Sequence, residues 1–357
     1  DTPYQNLALL LDIPIVKASE VTADNPLGTG PYSLEDGIGG KHLQRVVGWW
    51  CSSDDLVAKD SSIALVEAES PSQIRDEFEF SGLSVVCTNP QTDSYADYRC
   101  DFELWEVDSG FMMYIGCNVT YSKFFDDGTL RTFLTYGIDR QTLVDDNYGG
   151  LALPTTLPIS PMSPYYSKSL ATNYDYDEMR FIDAASKFRV PTNDKGVPRT
   201  LQLLVNSDDS ARLRCARNIA ATLTELGLAC ETVESPTSVY EARLQAANYD
   251  IYLGITKLPT TADLSEFYRP WGEMSWGGLA NETIYNMVNQ SLADRGNYYN
   301  LHKLVADDGR IIPVMAGYYA IYAKRGVLSD LNPARDNVFY YTLGKTMESS
   351  KVATQFS

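Results

Sequence analysis

Residues Tyr114 to Pro161 run YIGCNVTYSKFFDDGTLRTFLTYGIDRQTLVDDNYGGLALPTTLPISP, and the reading of this stretch decides the fold. The apolar run from Phe111 to Cys117 predicts a strand. A helix is expected next, because Leu130, Phe133, Leu134, Ile138 and Val144 recur at spacings of three and four with one turn skipped. Asp126 and Asp127 sit just ahead of it, where carboxylates accept from free N–H groups and meet the positive end of the helix dipole. Gly149-Gly150 closes the helix, and a loop punctuated by Pro154, Pro158, Pro161 and Pro164 follows. Strand, capped helix and rigid loop suit many folds, so the flanking sequence has to narrow them.

Residues 200–254 narrow them most. Leu201 to Val205 is an apolar strand, and Ala211 to Leu226 a helix with Ala216, Ile219, Ala220, Leu223 and Leu226 on one face, closed by Gly227. Leu228 to Val233 is a second strand, Val239 to Ala247 a second helix and Tyr249 to Leu253 a third strand. Strands alternating with helices of this length imply right-handed crossovers and a parallel sheet. Ligands of such sheets bind in the crevice beyond the carboxyl ends of the strands. Gly254 and the loop after it, Ile255 to Trp276, are therefore the first place to look for a site. Beyond it come helices from Ile284 to Leu292 and Tyr299 to Asp307, then Ile311 to Pro313 and a Tyr-rich strand, Tyr318 to Ala323. Residues 1–113 are β-rich and irregular. A turn at Gly28-Thr29-Gly30-Pro31-Tyr32 feeds a strand, and His42 to Trp50 alternates loosely. Ile63 to Glu69 and Ser84 to Cys87 are strands, and Ser70 to Phe80 is a short helix.

The chain has 357 residues, enough for two domains, with 44% hydrophobic residues to build cores. A net charge of −18 argues against nucleic acid as a partner, since phosphate binding needs a basic footprint. No run of 18 apolar residues is present to span a membrane. The six cysteines form no CxxC pair, so zinc is not expected; Cys87 and Cys100 either bridge a loop or remain thiols. His42 and His302 are the only histidines, with no HExxH or GxSxG around them, and a triad has no imidazole to use. Gly344-Lys345-Thr346 imitates the end of a phosphate loop, but Phe339 stands where its first glycine belongs. The acidic pairs Asp54-Asp55, Asp126-Asp127, Asp145-Asp146 and Asp307-Asp308 lack EF-hand spacing and suit solvated caps. No catalytic residue, cofactor or metal is expected.

The side-chain order of the opening stretch resembles the family 5 extracellular solute-binding proteins, the oligopeptide-, dipeptide- and nickel-binding receptors of ABC importers. Four motifs carry the resemblance in register: Tyr114 to Asn118, Asp127 to Arg131, Gly137-Ile138-Asp139-Arg140 and Tyr148-Gly149-Gly150. Gly28 to Tyr32, the Trp49-Trp50 pair and Asn337-Val338-Phe339 extend it from about Leu7 to Phe339. In that family the Gly-Thr-Gly-Pro-Tyr motif comes well into the mature protein. The expectation is therefore that a leader and part of the first lobe lie outside this sequence.

What the resemblance implies is a type II periplasmic-binding-protein fold, two α/β lobes around a ligand cleft. Residues 1–113 and 316–357 would form an incomplete lobe I, and 114–315 lobe II. The implied function is the substrate-binding component of an ABC transporter. Such a receptor captures a peptide or small solute for a membrane permease, works as a monomer, and is a periplasmic protein or a cell-surface lipoprotein. The alternatives are an enzyme, or a sensory or chaperone-like binding module, on the same architecture. The ligand-binding candidates are Tyr114, Gly116, Thr237, Gly254, Ile255, Thr256, Lys257, Asp263, Trp271 and Trp276. The pocket departs from the common peptide receptors. Ile255 replaces a tryptophan, Thr237 another, Gly116 an acidic strand position, and no Asp that could hold a ligand's amine appears before Asp263. Asp139-Arg140 is structural in the family.

Overall fold

A computed structural model describes residues 15–328 except 24–25, 38, 52–59, 81 and 91–97, together with 331, 333 and 335. The opening segment, Asn337 to Phe339 and Gly344-Lys345-Thr346 lie outside the described residues. The chain divides into two compact units, one holding Gly110–Gly317 and the other the described parts of Leu11–Ser109 and Tyr318–Ser357.

The second unit contains strands β1 (Tyr32–Gly37), β2 (Gly40–Arg45) and β3 (Ser62–Ala64), helix α1 (Pro71–Phe80) and strand β4 (Val85–Thr88). The strands β1, β2 and β3 form an antiparallel sheet in that order. The long strand expected over Ile63 to Glu69 is only three residues in β3. Its alternation is lost beyond Leu65, whose amide donates back to the Lys41 carbonyl at 2.9 Å. All six cysteines are free thiols, so Cys87 and Cys100 form no bridge.

The first unit opens with β5 (Phe102–Cys117), which begins nine residues before the predicted run and enters from the other unit. The single helix expected after it is broken into α2 (Thr129–Phe133), a 3₁₀ turn over Leu134–Gly137 and α3 (Arg140–Tyr148). Two features force the break. A Cβ at Gly137 would lie 2.7 Å from the Phe181 ring and 2.8 Å from Leu223, so the chain there runs hard against the core. Asp139 also caps α3, accepting from the Thr142 amide at 3.1 Å and hydroxyl at 2.8 Å, a use of the carboxylate that a continuous helix would forbid. At the start of α2, Asp127 accepts from the Thr129 amide at 2.9 Å; at the end of α3, Gly149 takes the expected left-handed conformation (φ 57°).

After β6 (Leu153–Pro154) come the single turn α4 (Lys168–Ala171) and α5 (Glu178–Lys187), whose Phe181 is fully buried. Next follow β7 (Leu201–Asn206), α6 (Ser210–Glu225), β8 (Cys230–Ser235), α7 (Thr237–Gln245) and β9 (Ile251–Lys257). The turn α8 (Ser265–Tyr268), α9 (Glu282–Ala293), α10 (Tyr298–Asp308) and β10 (Ile311–Lys324) complete the elements. β7 pairs in parallel with β8 on one side and β9 on the other, as the alternation of strands and helices predicts. β5 runs antiparallel along the far side of β9, and β10 lies next to β5 in the strand order. The strand expected from Tyr318 starts at Ile311 and runs through Pro313, whose carbonyl accepts from Arg140 Nε at 2.8 Å.

The sheet has a core on each face. One holds Met113, Ile115, Leu203, Leu253 and the α6 residues Cys215, Ala216, Ile219 and Leu223. The other holds Met112, Tyr114, Leu204, Tyr252 and the packed helices α9 and α10. Asp209 caps α6 by accepting from the Arg212 amide at 2.9 Å, and Ile219 is 2% exposed. Arg140 is a buried ion of this unit, with its guanidinium donating to the carbonyls of Pro313, Thr135 and Ile138 and to the Thr135 hydroxyl. Burial draws its pKa down, to about 10, which leaves it charged at neutral pH.

Two predictions follow from these cores. Ile219→Asp places a carboxylate with no partner under α6 and should cost several kcal/mol, measured by urea titration of the unit's circular dichroism. His302 on α10 is fully buried with neither ring nitrogen hydrogen-bonded to protein, and burial lowers its pKa to about 4. The folded state therefore holds a neutral imidazole while the unfolded chain binds a proton below about pH 6.5. Stability should be full above pH 6.5 and fall by about 1.4 kcal/mol per pH unit between there and pH 4. His302→Leu should flatten that slope, and equal slopes in the two proteins would contradict it.

Candidate functional site

Strand alternation and register bring several candidates to one end of the parallel strands. Leu204 of β7 stands opposite Tyr252 of β9, so Asn206 stands level with Gly254 and Ile255 to Lys257 run beyond the carboxyl end of β7. Thr237, first in α7 and just past β8, reaches the same end. Its amide and hydroxyl donate to Asp208 at 2.8 and 2.7 Å, and those two bonds hold the Asp208 carboxyl below its usual range. The Asn206 amide donates to the Thr237 hydroxyl at 3.0 Å, so this threonine ties together the loops that follow β7 and β8.

Tyr114, Gly116 and Gly254 are interior. In the β5–β9 ladder Tyr114 pairs with Gly254 and Gly116 with Tyr252. Each tyrosine ring lies over the glycine opposite it. A Cβ at Gly116 would sit 2.2 Å from the Tyr252 ring, and one at Gly254 would sit 2.6 Å from that of Tyr114. The rings meet edge to face at 5.7 Å, Tyr252 donates its hydroxyl to that of Tyr114 at 3.3 Å, and Phe267 packs on Tyr114 at 5.1 Å. Burial raises both phenols above their ordinary range. Gly116 is thus a glycine because the aromatic ring of its cross-strand partner occupies the space an acidic side chain would need. Tyr252 and Phe267, which complete this group, are an alternating strand residue and a loop aromatic with nothing in the sequence to distinguish them.

Ile255 and Lys257 alternate with Leu253 toward the α6 face of the sheet and are exposed; Thr256, on the opposite face, donates its hydroxyl to Met274 Sδ at 3.3 Å. Asp263 is committed locally, accepting from the Ser265 amide at 2.8 Å and hydroxyl at 2.6 Å ahead of α8. Trp271 is 96% exposed on a left-handed backbone (φ 62°) between Pro270 and Gly272. That tip is fixed from below. Glu266 accepts from Arg269 at 2.8 Å and from the Glu273 amide at 2.9 Å, and a Cβ at Gly272 would lie 2.1 Å from the Glu266 carbonyl oxygen. Trp276 is half-buried against the tyrosine side of the core.

A residue the sequence reading passed over stands at the same end. Arg212, in the first turn of α6, is 6% exposed, and its Nε makes no hydrogen bond to protein. Its nearest anion is Asp209 Oδ2, 3.4 Å away, and its guanidinium carbon lies 5.5 Å from the centre of the Tyr240 ring. Helical burial of an arginine with so few partners has no periodic signature. Two cavities among the described residues contain none of the sequence candidates: one of about 300 Å³ beside Arg140, Tyr166 and Asp175, and one of about 440 Å³ beside Ile63, Val85 and Leu328 in the other unit.

A family model, that of the middle region of the bacterial extracellular solute-binding proteins, family 5, matches residues 2–278. Among solved structures, a nickel ABC transporter protein from Bacillus halodurans superposes with a TM-score of 0.71 at 16% identity, covering 92% of this chain and 71% of that one. A peptide binding protein, AppA, from Clostridium difficile gives 0.70 at 14% identity, with 88% of this chain and 67% of that one covered. The open form of MppA, a periplasmic murein tripeptide binding protein, gives 0.72 at 12%, with 92% and 66% covered. At such identities the likeness speaks for the fold. Comparison with curated protein sequences gives no match.

Gly116→Ala should destabilise the protein by about 1–3 kcal/mol, because the methyl cannot enter without moving a buried ring. Tyr252→Leu in the same chain should recover part of the loss, measured as the shift in urea midpoint of single and double variants.

Proposed function

The chain belongs to the family 5 bacterial extracellular solute-binding proteins and has their type II periplasmic-binding-protein fold. From that premise we propose that it captures a peptide or related small solute and delivers it to an ABC permease. Members of the family are receptors that bind and release, so the work is a change in occupancy with no covalent bond made. The proposed setting is the periplasm or the outer face of the cell membrane, with a lipid anchor in the latter case. Among the described residues no helix is long and apolar enough to cross a membrane.

The observation that carries the reading is the chemistry at the carboxyl ends of β7, β8 and β9, where ligands of parallel sheets are held. Positive charge stands there in Arg212, whose Nε has no hydrogen-bond partner, and in Lys257 at the end of β9. The nearby carboxylates are already engaged, Asp208 by Thr237 and Asp263 by Ser265. A ligand ammonium would meet repulsion from these cations and no unused carboxylate in Asp208 or Asp263; a carboxylate would meet the Arg212 guanidinium. The cargo we propose is therefore a solute with acidic groups, or a peptide whose amino terminus is blocked or absent, contacted by Ile255, Thr256, Lys257, Trp271 and Trp276.

A thermal-shift screen comparing free peptides, N-acetylated peptides and acidic solutes tests this. Acidic or blocked compounds at a hundred times their Kd should stabilise the protein by about 2.7 kcal/mol. Lys257→Ala should weaken that effect. Stabilisation by free-amine peptides alone, undiminished in Lys257→Ala, would overturn the proposed cargo.

A further inference from the structure

The loop between β7 and α6 sets two carboxylates beside one guanidinium. Asn206 ends β7, Asp208 and Asp209 follow, and Arg212 stands in the first turn of α6. Asn206 Oδ1 accepts from the Asp208 amide at 2.9 Å, and the Ser207 amide donates to the Ser235 carbonyl at 2.8 Å, so the loop is tied to β7 and β8. Asp208, bonded twice by Thr237, is held ionised. Tyr240, in the first turn of α7, donates its hydroxyl to the Leu253 carbonyl at 3.0 Å, which fixes its ring beside β9. The Arg212 guanidinium carbon lies 5.5 Å from the centre of that ring. It therefore stands between the starts of two helices, beyond the carboxyl ends of β7 and β8.

The charge of this group is met and its hydrogen bonds are not. Asp209 Oδ2 lies 3.4 Å from Nε without accepting a hydrogen bond from it, and Asp209 Oδ1 is taken by the Arg212 amide at 2.9 Å. The two terminal nitrogens have no hydrogen-bond partner among the described residues. Arg140, similarly buried, makes four hydrogen bonds. An arginine offers five N–H donors, and leaving them unmade in an interior costs more than making them gains. Arg212 thus points to an acceptor that the described chain does not itself supply.

The surrounding charges narrow what that acceptor is. An ammonium would meet like charge in Arg212. A carboxylate would meet like charge in Asp208 and Asp209, and the positive charge it seeks is already balanced by Asp209. A neutral carbonyl oxygen gains the donors and is opposed by neither. Arg212 is 6% exposed, so the end of a ligand chain reaches it more readily than the middle. We propose that Arg212 selects the cargo by donating to the carbonyl of an N-terminal acyl group, so that N-acylated peptides are preferred over acidic solutes and over peptides with a free amine. This rests on the reading of the carboxyl ends of β7, β8 and β9 as the ligand site, and it chooses between the two kinds of cargo proposed for it. A guanidinium suits the task because its donors form a planar fork, here held in advance by Asp209 and Tyr240.

The test is equilibrium dialysis of the full chain against pools of random tripeptide amides, either N-acetylated or with a free amine, and against glutarate. Bound compounds are quantified by mass spectrometry. The acetylated pool should be retained in preference to the other two. Arg212→Met, which keeps the length and removes the donors, should weaken that retention about ten- to hundredfold. Its urea midpoint should equal or exceed that of the wild type, because no hydrogen bond within the protein is lost. Arg212→Lys, which keeps the charge beside Asp209 and loses the fork, should weaken retention less. Undiminished retention in both variants overturns the proposal, as does glutarate held through Arg212 in place of the acetylated pool. A lowered midpoint in Arg212→Met marks the side chain as structural and also overturns it, unless Arg212→Lys keeps the wild-type midpoint and still loses affinity for acetylated peptides. If the wild type retains none of the three probes, the reading of the ligand site fails and the choice of cargo falls with it.

Discussion

The register of β5 against β9 is the constraint on which the first unit depends. Seven consecutive pairs, from Phe111 opposite Lys257 to Cys117 opposite Ile251, lock an antiparallel strand onto the edge of a parallel set. A slip of one residue would turn Met113 and Ile115 off the α6 face and bring Met112 and Tyr114 onto it, exchanging the two cores. The register also decides which residues extend past the sheet. Because Gly254 is level with Asn206, only Ile255, Thr256 and Lys257 project beyond β7, and the loop that carries Trp271 and Trp276 starts from there.

The buried charges of the unit follow one rule: each is spent on geometry. Arg140 donates only to neutral oxygens, joining the 3₁₀ turn, the start of α3 and β10. Asp250 is 4% exposed and accepts from the Ser122 hydroxyl at 2.5 Å and the Gln202 amide at 3.0 Å, tying the connection after β5 to β7. Asp308, which is half-buried, likewise stands between Arg131 and Arg310. Removing one member of such a set leaves its partner buried and uncompensated, which is why these groups specify the fold more than they stabilise it. Arg212 differs from Arg140 and Asp250: its Nε makes no hydrogen bond, and its anionic neighbour is Asp209, 3.4 Å away.

Much of this was legible in the sequence because it rests on local periodicity. The β7–α6–β8–α7–β9 run followed from strands and helices of ordinary length, and α6 buries Ala216, Ile219 and Leu223 as its spacing requires. The break between α2 and α3 was not legible, since Ile138 keeps a helical spacing while standing in an extended backbone. What decides it, the packing of Gly137 against Phe181 and Leu223, involves residues far along the chain. The candidate site was legible in outline only. The carboxyl ends of the strands could be located, and Lys257 with them. That Tyr114 and Gly116 turn inward, and that Arg212 stands at the carboxyl end of β7, depends on side chains meeting across the sheet or between separate loops. No spacing records such meetings.

The rings of Tyr114 and Tyr252 each roof the glycine opposite, and this links positions that lie 140 and 136 residues apart in the chain. Neither member of a pair can acquire a new side chain while the other keeps its ring. A lineage changing its cargo by placing a charged group at position 116 would first have to give up the tyrosine at 252, passing through a less stable ancestor. The two crossed pairs therefore act as a ratchet on the history of this sheet: variation is steered outward, to Ile255, Lys257 and the tip at Trp271, where a substitution has no roof to displace.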